Sequence, residues 1–264
     1  MDPSNGLAID LVGAVATVRL NRPDRRNAID VDTCRELTAW VQGLADDRSI
    51  RAVVITGTER DFCTGADALG SNAVVQSSMP LDYRWKTQDF NRLFEALWET
   101  ETPVVSAVNG TVAGAGWLLA LLADLVVAAE GARWSHVFVK RGMIPHAGDP
   151  YFLPRIIPFH RLNELALLGD PVTSETLGAW GVVNRVVAED DVLATATELA
   201  GRLADGPTRS IGMAKRLYRR SLDSDLRTAR EEEAAALALI STTKDRLEGV
   251  QSFIERRPPE FIGD

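Results

Sequence analysis

Between Pro103 and Asp124 the chain reads PVVSAVNGTVAGAGWLLALLAD, and few folds admit that order of residues. Val104, Val105, Ala107 and Val108 form a buried-strand run that stops at the Asn109-Gly110 turn. The small-residue stretch Ala113-Gly114-Ala115-Gly116 comes next, and an apolar helix from Trp117 to Ala123 opens directly behind it. Glycines carry no Cβ, so the backbone there can approach a neighbour or a ligand closely. A helix opening at such a point leaves its first amide N–H groups unpaired and sets the positive end of its dipole at the turn. The segment therefore suits either a negatively charged oxygen or tight strand–helix packing with no ligand.

A second stretch follows the same grammar. In RAVVITGTERDFCTG, from Arg51 to Gly65, a strand over Val53–Thr56 is followed by Gly57, a polar loop, and then Phe62-Cys63-Thr64-Gly65-Ala66-Asp67. Here the amide of Ala66 follows a glycine, as that of Ala115 does in the first stretch. Two N–H donors from separate strand-end loops are what an oxyanion hole needs, because one loop rarely aims both at one atom.

The pair FCTGAD and AVNGTVAGAGWLLALLAD resembles the crotonase, or enoyl-CoA hydratase/isomerase, superfamily. The resemblance runs from LNRPDRRNAI through GDPVTSETLGAWGVVNRVV to EGVQSFIERRPPEF, and so covers nearly the whole chain. It implies an α/β fold in which ββα units wind into a spiral over residues 1–190. A C-terminal helical layer over 191–264, used in trimer assembly, would complete it, as a homotrimer or a dimer of trimers. The pattern of strands and helices alone implies only α/β with crossovers. The resemblance also implies an acyl-CoA thioester substrate, whose coenzyme A is part of the substrate rather than a bound cofactor, and a thioester enolate held by the amides of Ala66 and Ala115.

Coenzyme A carries phosphates and an adenine, which call for basic side chains around a loop. By resemblance, Arg22, Arg25 and Arg26 lie in the N-terminal CoA-binding loop. Phe253, Arg256 and Arg257 match C-terminal positions that cover the adenine end, sometimes from a neighbouring subunit. A formal charge of −8 argues against nucleic acid or an anionic membrane as the main partner, while local arginines still allow a phosphate-bearing ligand. The two cysteines, Cys34 and Cys63, show no metal or redox spacing and suit a reducing cytoplasm. The opening MDPSNGLAIDLVG lacks the charged and apolar regions of a signal peptide.

Along the chain, the alternation in residues 14–20 predicts a strand, and Asp30 or Asp32 caps a helix reaching about Ala45. A loop is expected over 68–82, a helix over 84–99, and strands over Leu125–Ala129 and Val182–Val187. Helices over 190–204, 208–222, 225–243 and 245–256 close the chain, with no strand after Val187.

Hydratases of the superfamily use two glutamates, one to orient water and one to handle the proton. By resemblance those positions fall on Leu118 and Phe138, neither of which can transfer a proton. The loop Gly142-Met143-Ile144-Pro145-His146-Ala147-Gly148-Asp149-Pro150 offers substitutes. Isomerases and an aroyl-CoA dehalogenase branch place a catalytic aspartate just after the proline of this loop, where this chain has His146. A histidine titrates near neutrality, and Asp149 is expected to fix its tautomer, making the two a base pair for moving an α or γ proton. His136 either faces the pocket or packs. Trp85, Trp98, Trp117 and Trp134 either line a pocket or simply pack. Cys63 reads as packed core, and Gly114-x-Gly116 lacks the third glycine and the downstream acid of a dinucleotide fingerprint. The expected chemistry is double-bond isomerisation or a related proton transfer. Hydration, and acyl-CoA binding without turnover, are the alternatives.

Overall fold

A computed structural model describes residues 6–67 and 87–264. The expected loop at 68–82, Trp85 and the first residues of the expected helix 84–99 lie outside the described residues. The chain opens with an antiparallel hairpin of β1 (Leu7–Val12) and β2 (Val15–Leu20), of which the sequence pattern marked only the second arm. Helix α1 (Val31–Gly43) follows, and of the two candidate caps it is Asp30 that accepts from Thr33 N, at 2.8 Å.

Three turns of a spiral come next. Each runs through a strand of the main sheet and a short strand of a second sheet before a helix returns the chain. The first holds β3 (Ala52–Gly57), β4 (Asp61–Cys63) and α2 (Gln88–Glu99). The second holds β5 (Val104–Val108), β6 (Thr111–Ala113) and α3 (Gly116–Leu121). The third begins with β7 (Leu125–Ala129) and β8 (Arg133–Ser135), and continues through α4 (Asp149–Ile156) and α5 (Phe159–Leu168). After β9 (Val172–Thr173), α6 (Ser174–Ala179) and β10 (Arg185–Val187), the chain is helical: α7 (Val192–Ala204), α8 (Thr208–Ser221), α9 (Leu226–Ile240) and α10 (Lys244–Glu255).

The main sheet has the order β1-β2-β3-β5-β7-β10, all parallel beyond the first hairpin, and the second sheet the order β4-β6-β8-β9. This is the α/β spiral that the resemblance implied. Asn109 braces two successive turns of it, accepting from Gly57 N at 3.1 Å and donating to Glu59 O at 2.8 Å.

Side chains alternate across β3, which is buried on both faces as a central parallel strand should be. Val53 and Ile55 join the large core with Leu37, Phe62, Phe94, Trp117 and Trp134. Ala52 and Val54 face the other way, with Val105, Ala107 and Val127, onto Ala196, Leu199 and Ala200 of α7. So α7, placed by sequence at the start of the C-terminal helical region, packs directly on the main sheet.

Helix α8 is pinned to the spiral through Asp124. The Asp124 carboxylate meets Lys215 Nζ at 2.7 Å and Arg219 NH2 at 2.9 Å, and also accepts from Val104 N at 2.8 Å. Arg219 further donates to the carbonyls of Leu97, Trp98 and Leu122, which end α2 and α3. Burial pushes the Lys215 ammonium down to about 8, against the pull of Asp124 in the other direction. Among the described residues no helix is long and apolar enough to cross a membrane.

Candidate active site

The loop after β4 is held by a single parallel bridge. Ile29 N donates to Gly65 O at 2.8 Å, and Asp67 N donates to Ile29 O at 2.9 Å. Alternation along an extended strand then turns the Ala66 amide away from Ile29. On the second loop, Gly114 takes a left-handed φ of 51° and α3 starts two residues later. Among the described residues neither Ala66 N nor Ala115 N is engaged as a donor.

The two loops touch at their glycines. A Cβ on Gly65, whose φ is +99°, would stand 2.9 Å from Ala113 O and 3.3 Å from Ala115 N. A Cβ on Gly116 would stand 2.3 Å from Cys63 O, closer than any side chain tolerates. Glycine at both points is what lets the Ala66 and Ala115 backbones border one space.

That space is a cavity of about 580 Å³. Of the expected site residues, Arg22, Arg25, Ala66, Ala115, His146 and Asp149 line it, as do Leu118 and Phe138. Arg26, Phe253, Arg256 and Arg257 do not. Arg26 forks onto the Asp61 carboxylate at 3.0 and 2.8 Å. Arg257 pairs with Glu248 and Glu255 at the end of α10, and its guanidinium holds the Glu248 carboxyl down at about 2. Arg256 takes a left-handed φ of 56° as the C-cap of α10, and Phe253 is 84% exposed.

The cavity arginines differ in what they are free to do. Arg22 donates to Ala28 O and reaches Asp67 and Asp30, each at 2.9 Å, so it ties the N-terminal loop to the segment bearing Ala66. Arg25 is exposed and makes no ion pair among the described residues. Arg141 also lines the cavity without an ion pair, and sequence reasoning passed over it. Its place four residues before Pro145, at the head of the loop that carries His146, was the available signal.

His146 Nδ1 lies 3.0 Å from Ile144 O. A carbonyl only accepts, so Nδ1 is the donor in this contact, and the tautomer it selects puts the ring's lone pair on Nε2. Asp149 does not serve as its orienter, which corrects the expected pairing. Asp149 Oδ2 lies instead 2.9 Å from Nε2 of His136, a fully buried ring. Ala147 and Gly148 both take positive φ, 59° and 86°, and this double left-handed turn reverses the chain between His146 and Asp149. Trp134 and His136 share one inward face of the extended segment at β8, a period-two relation that the sequence displayed. Phe138 stands edge-on to both imidazoles, with centroids 4.9 Å from His136 and 5.0 Å from His146. Burial raises the Cys63 thiol to about 12 and pushes Cys34 up as well, so neither is a nucleophile.

The sequence signature of the enoyl-CoA hydratase/isomerase family matches residues 11–264. The chain is 35% identical over 250 residues to a 1,2-epoxyphenylacetyl-CoA isomerase of Escherichia coli K12, covering 94% of this chain and 95% of the relative. It is 31% identical to a carnitinyl-CoA dehydratase of Proteus mirabilis, covering 98% and 99%. In three dimensions it matches an enoyl-CoA hydratase from Bacillus anthracis with a TM-score of 0.91 at 29% identity, over 98% of this chain and all of the other.

Proposed function

The chain belongs to the enoyl-CoA hydratase/isomerase family, whose members process acyl-CoA thioesters, and on that premise we propose that it moves a proton, and with it a double bond, along the acyl chain of such a thioester. The observation that carries the reading is one cavity bordered by two unengaged backbone amides, Ala66 and Ala115, and by His146. The thioester carbonyl accepts from both amides. His146 Nε2 removes the α-proton, and the negative charge that develops on oxygen stays on the fixed N–H donors. Return of the proton to a different carbon completes an isomerisation.

Leu118 and Phe138 supply no carboxylate where hydration would call for two, which favours proton transfer over water addition. Arg25 and Arg141, at the cavity and without ion pairs among the described residues, suit the phosphates of coenzyme A, with Arg22 holding the loop in place. A homotrimer or dimer of trimers would bring Phe253 and Arg256 to the adenine end of a neighbour's ligand. Exposed Leu237, Leu239, Leu247, Phe253 and Ile254 on α9 and α10 support such self-association.

Solvent-deuterium exchange into bound butyryl-CoA at the α carbon tests the reading. Exchange that falls by roughly 10² to 10⁴ in His146→Gln is the expected result. Tight binding of the thioester with no exchange in the unmodified chain would leave a binding protein without turnover.

A further inference from the structure

A double bond that shifts along a chain requires a proton to leave one carbon and another to arrive two bonds away. His146 accounts for one of these transfers, and the other calls for a second group able to carry a proton. Among the described residues four acids border the cavity, Asp30, Asp32, Asp67 and Asp149, and they differ in attachment and burial: Asp32 is exposed to solvent on the first turn of α1. Asp30 caps α1 and pairs with Arg22, and Asp67 pairs with Arg22. Asp149 is held by neither arginine nor lysine among the described residues.

Asp149 is 3% exposed, yet it lines the cavity. A carboxylate so buried needs a partner, and it has one, a single hydrogen bond of 2.9 Å between Oδ2 and His136 Nε2. Since a carboxylate only accepts, the imidazole proton sits on Nε2. His136 Nδ1 meets no polar partner, and the ring is enclosed by Trp117 and Phe138, edge-on at 5.9 and 4.9 Å. An N–H at Nδ1 would find no acceptor among the described residues, so the ring's one polar contact is the bond to Asp149. His136 itself does not reach the cavity. The carboxylate thus has one oxygen fixed by the imidazole N–H and one oxygen left among the described residues for a ligand.

We propose that Asp149 is the second proton carrier of the site and that His136 is the positioning residue that holds it. The inference rests on the proton-transfer reading given above. The free oxygen of Asp149 takes a proton from carbon, the C–H electron pair passes into the enolate system, and Asp149 becomes a neutral carboxylic acid. His146 delivers a proton to the carbon two bonds away, and proton exchange between the two groups through solvent then restores the Asp149 carboxylate and recharges His146, while His136 keeps its Nε2 proton throughout. A single N–H donor suits this role better than an arginine, whose fork would engage both carboxylate oxygens and leave neither for the substrate. Phe138 stands between the two imidazoles, an apolar ring separating His146 from the positioning His136.

The test follows deuterium exchange separately at the α carbon of butyryl-CoA and the γ carbon of crotonyl-CoA, with thioester affinity measured in parallel. Asp149→Asn keeps the shape and an oxygen for the His136 N–H, so it folds. Exchange at one or both carbons falls by roughly 10² to 10⁴ with the dissociation constant unchanged. His136→Leu lowers exchange at the same carbon through kcat rather than KM, and His136→Gln, which retains an N–H donor, restores part of it. Exchange within a few-fold of the unmodified chain at both carbons in Asp149→Asn overturns the proposal alone. No exchange at either carbon in the unmodified chain overturns the underlying reading as well.

Discussion

Gly65 lies so close to Ala115 that a methyl group on it would stand 3.3 Å from the Ala115 amide nitrogen. The same methyl would press to 2.9 Å on Ala113 O, and φ at Gly65 is +99°, where an L-residue is strained. Gly65→Ala should therefore lower unfolding free energy by about 1–3 kcal/mol. It should also reduce α-proton exchange by roughly 10² to 10³, the usual effect of losing one oxyanion donor. Urea unfolding and the exchange rate read the two effects separately. Normal stability with a normal rate would show that the loops tolerate the methyl and that their contact does not set the amides.

Hydration of crotonyl-CoA should be slow. Leu118 and Phe138 are both buried against the cavity and neither moves a proton. Turnover on the order of 10 per second, an ordinary enzyme rate, would show that the water-handling groups lie elsewhere.

The contribution of Lys215 to stability should rise with pH in a window set by its shift. Burial lowers its pKa to about 8 in the folded chain, against roughly 10.4 for an exposed lysine. Between those values the unfolded chain binds the extra proton, so this contribution grows as pH rises from 8 and is lost as pH falls back through 8. The slope approaches about 1.4 kcal/mol per pH unit at most. Cys34 and Cys63, both shifted upward, pull the other way at alkaline pH, but equally in parent and variant. The difference in unfolding free energy between the parent and Lys215→Met should thus tilt toward the parent between pH 8 and 10. A flat difference would refute the burial argument.

Neither cysteine should react with iodoacetamide in the native chain at pH 8. Both thiols are fully buried, and burial holds them protonated. Two equivalents of label taken up only after denaturation is the expected result, read by mass spectrometry.

What the sequence made legible followed from strong local signals. The run from Val104 to Val108 is apolar but for Ser106, and the four C-terminal helices follow one another with no strand-like run between them. Apart from the six-residue β1, the strands missed were those of three residues or fewer, β4, β6, β8 and β9, which are too short for a period to register. The helices between 149 and 179 escaped because Pro150 and Pro154 broke the pattern of α4, and α6 spans only six residues. Ala66, Ala115, His146 and Asp149 were placed on one cavity by motif alone. The partner of Asp149 was not, because two residues of positive φ intervene and no spacing rule anticipates that reversal.

The clamp at Asp124 also bears on how the chain comes into being. Arg219 lies 95 residues beyond Asp124 and 122 beyond Leu97. During synthesis at about 5–20 residues per second, the spiral is made several seconds before the cations that close it. Until then the acid at the end of α3 and the last carbonyls of α2 face water or each other. The spiral can therefore collapse early, but its lower rim is sealed only when α8 arrives, and a nascent chain stalled before that point should be a ready client for chaperones.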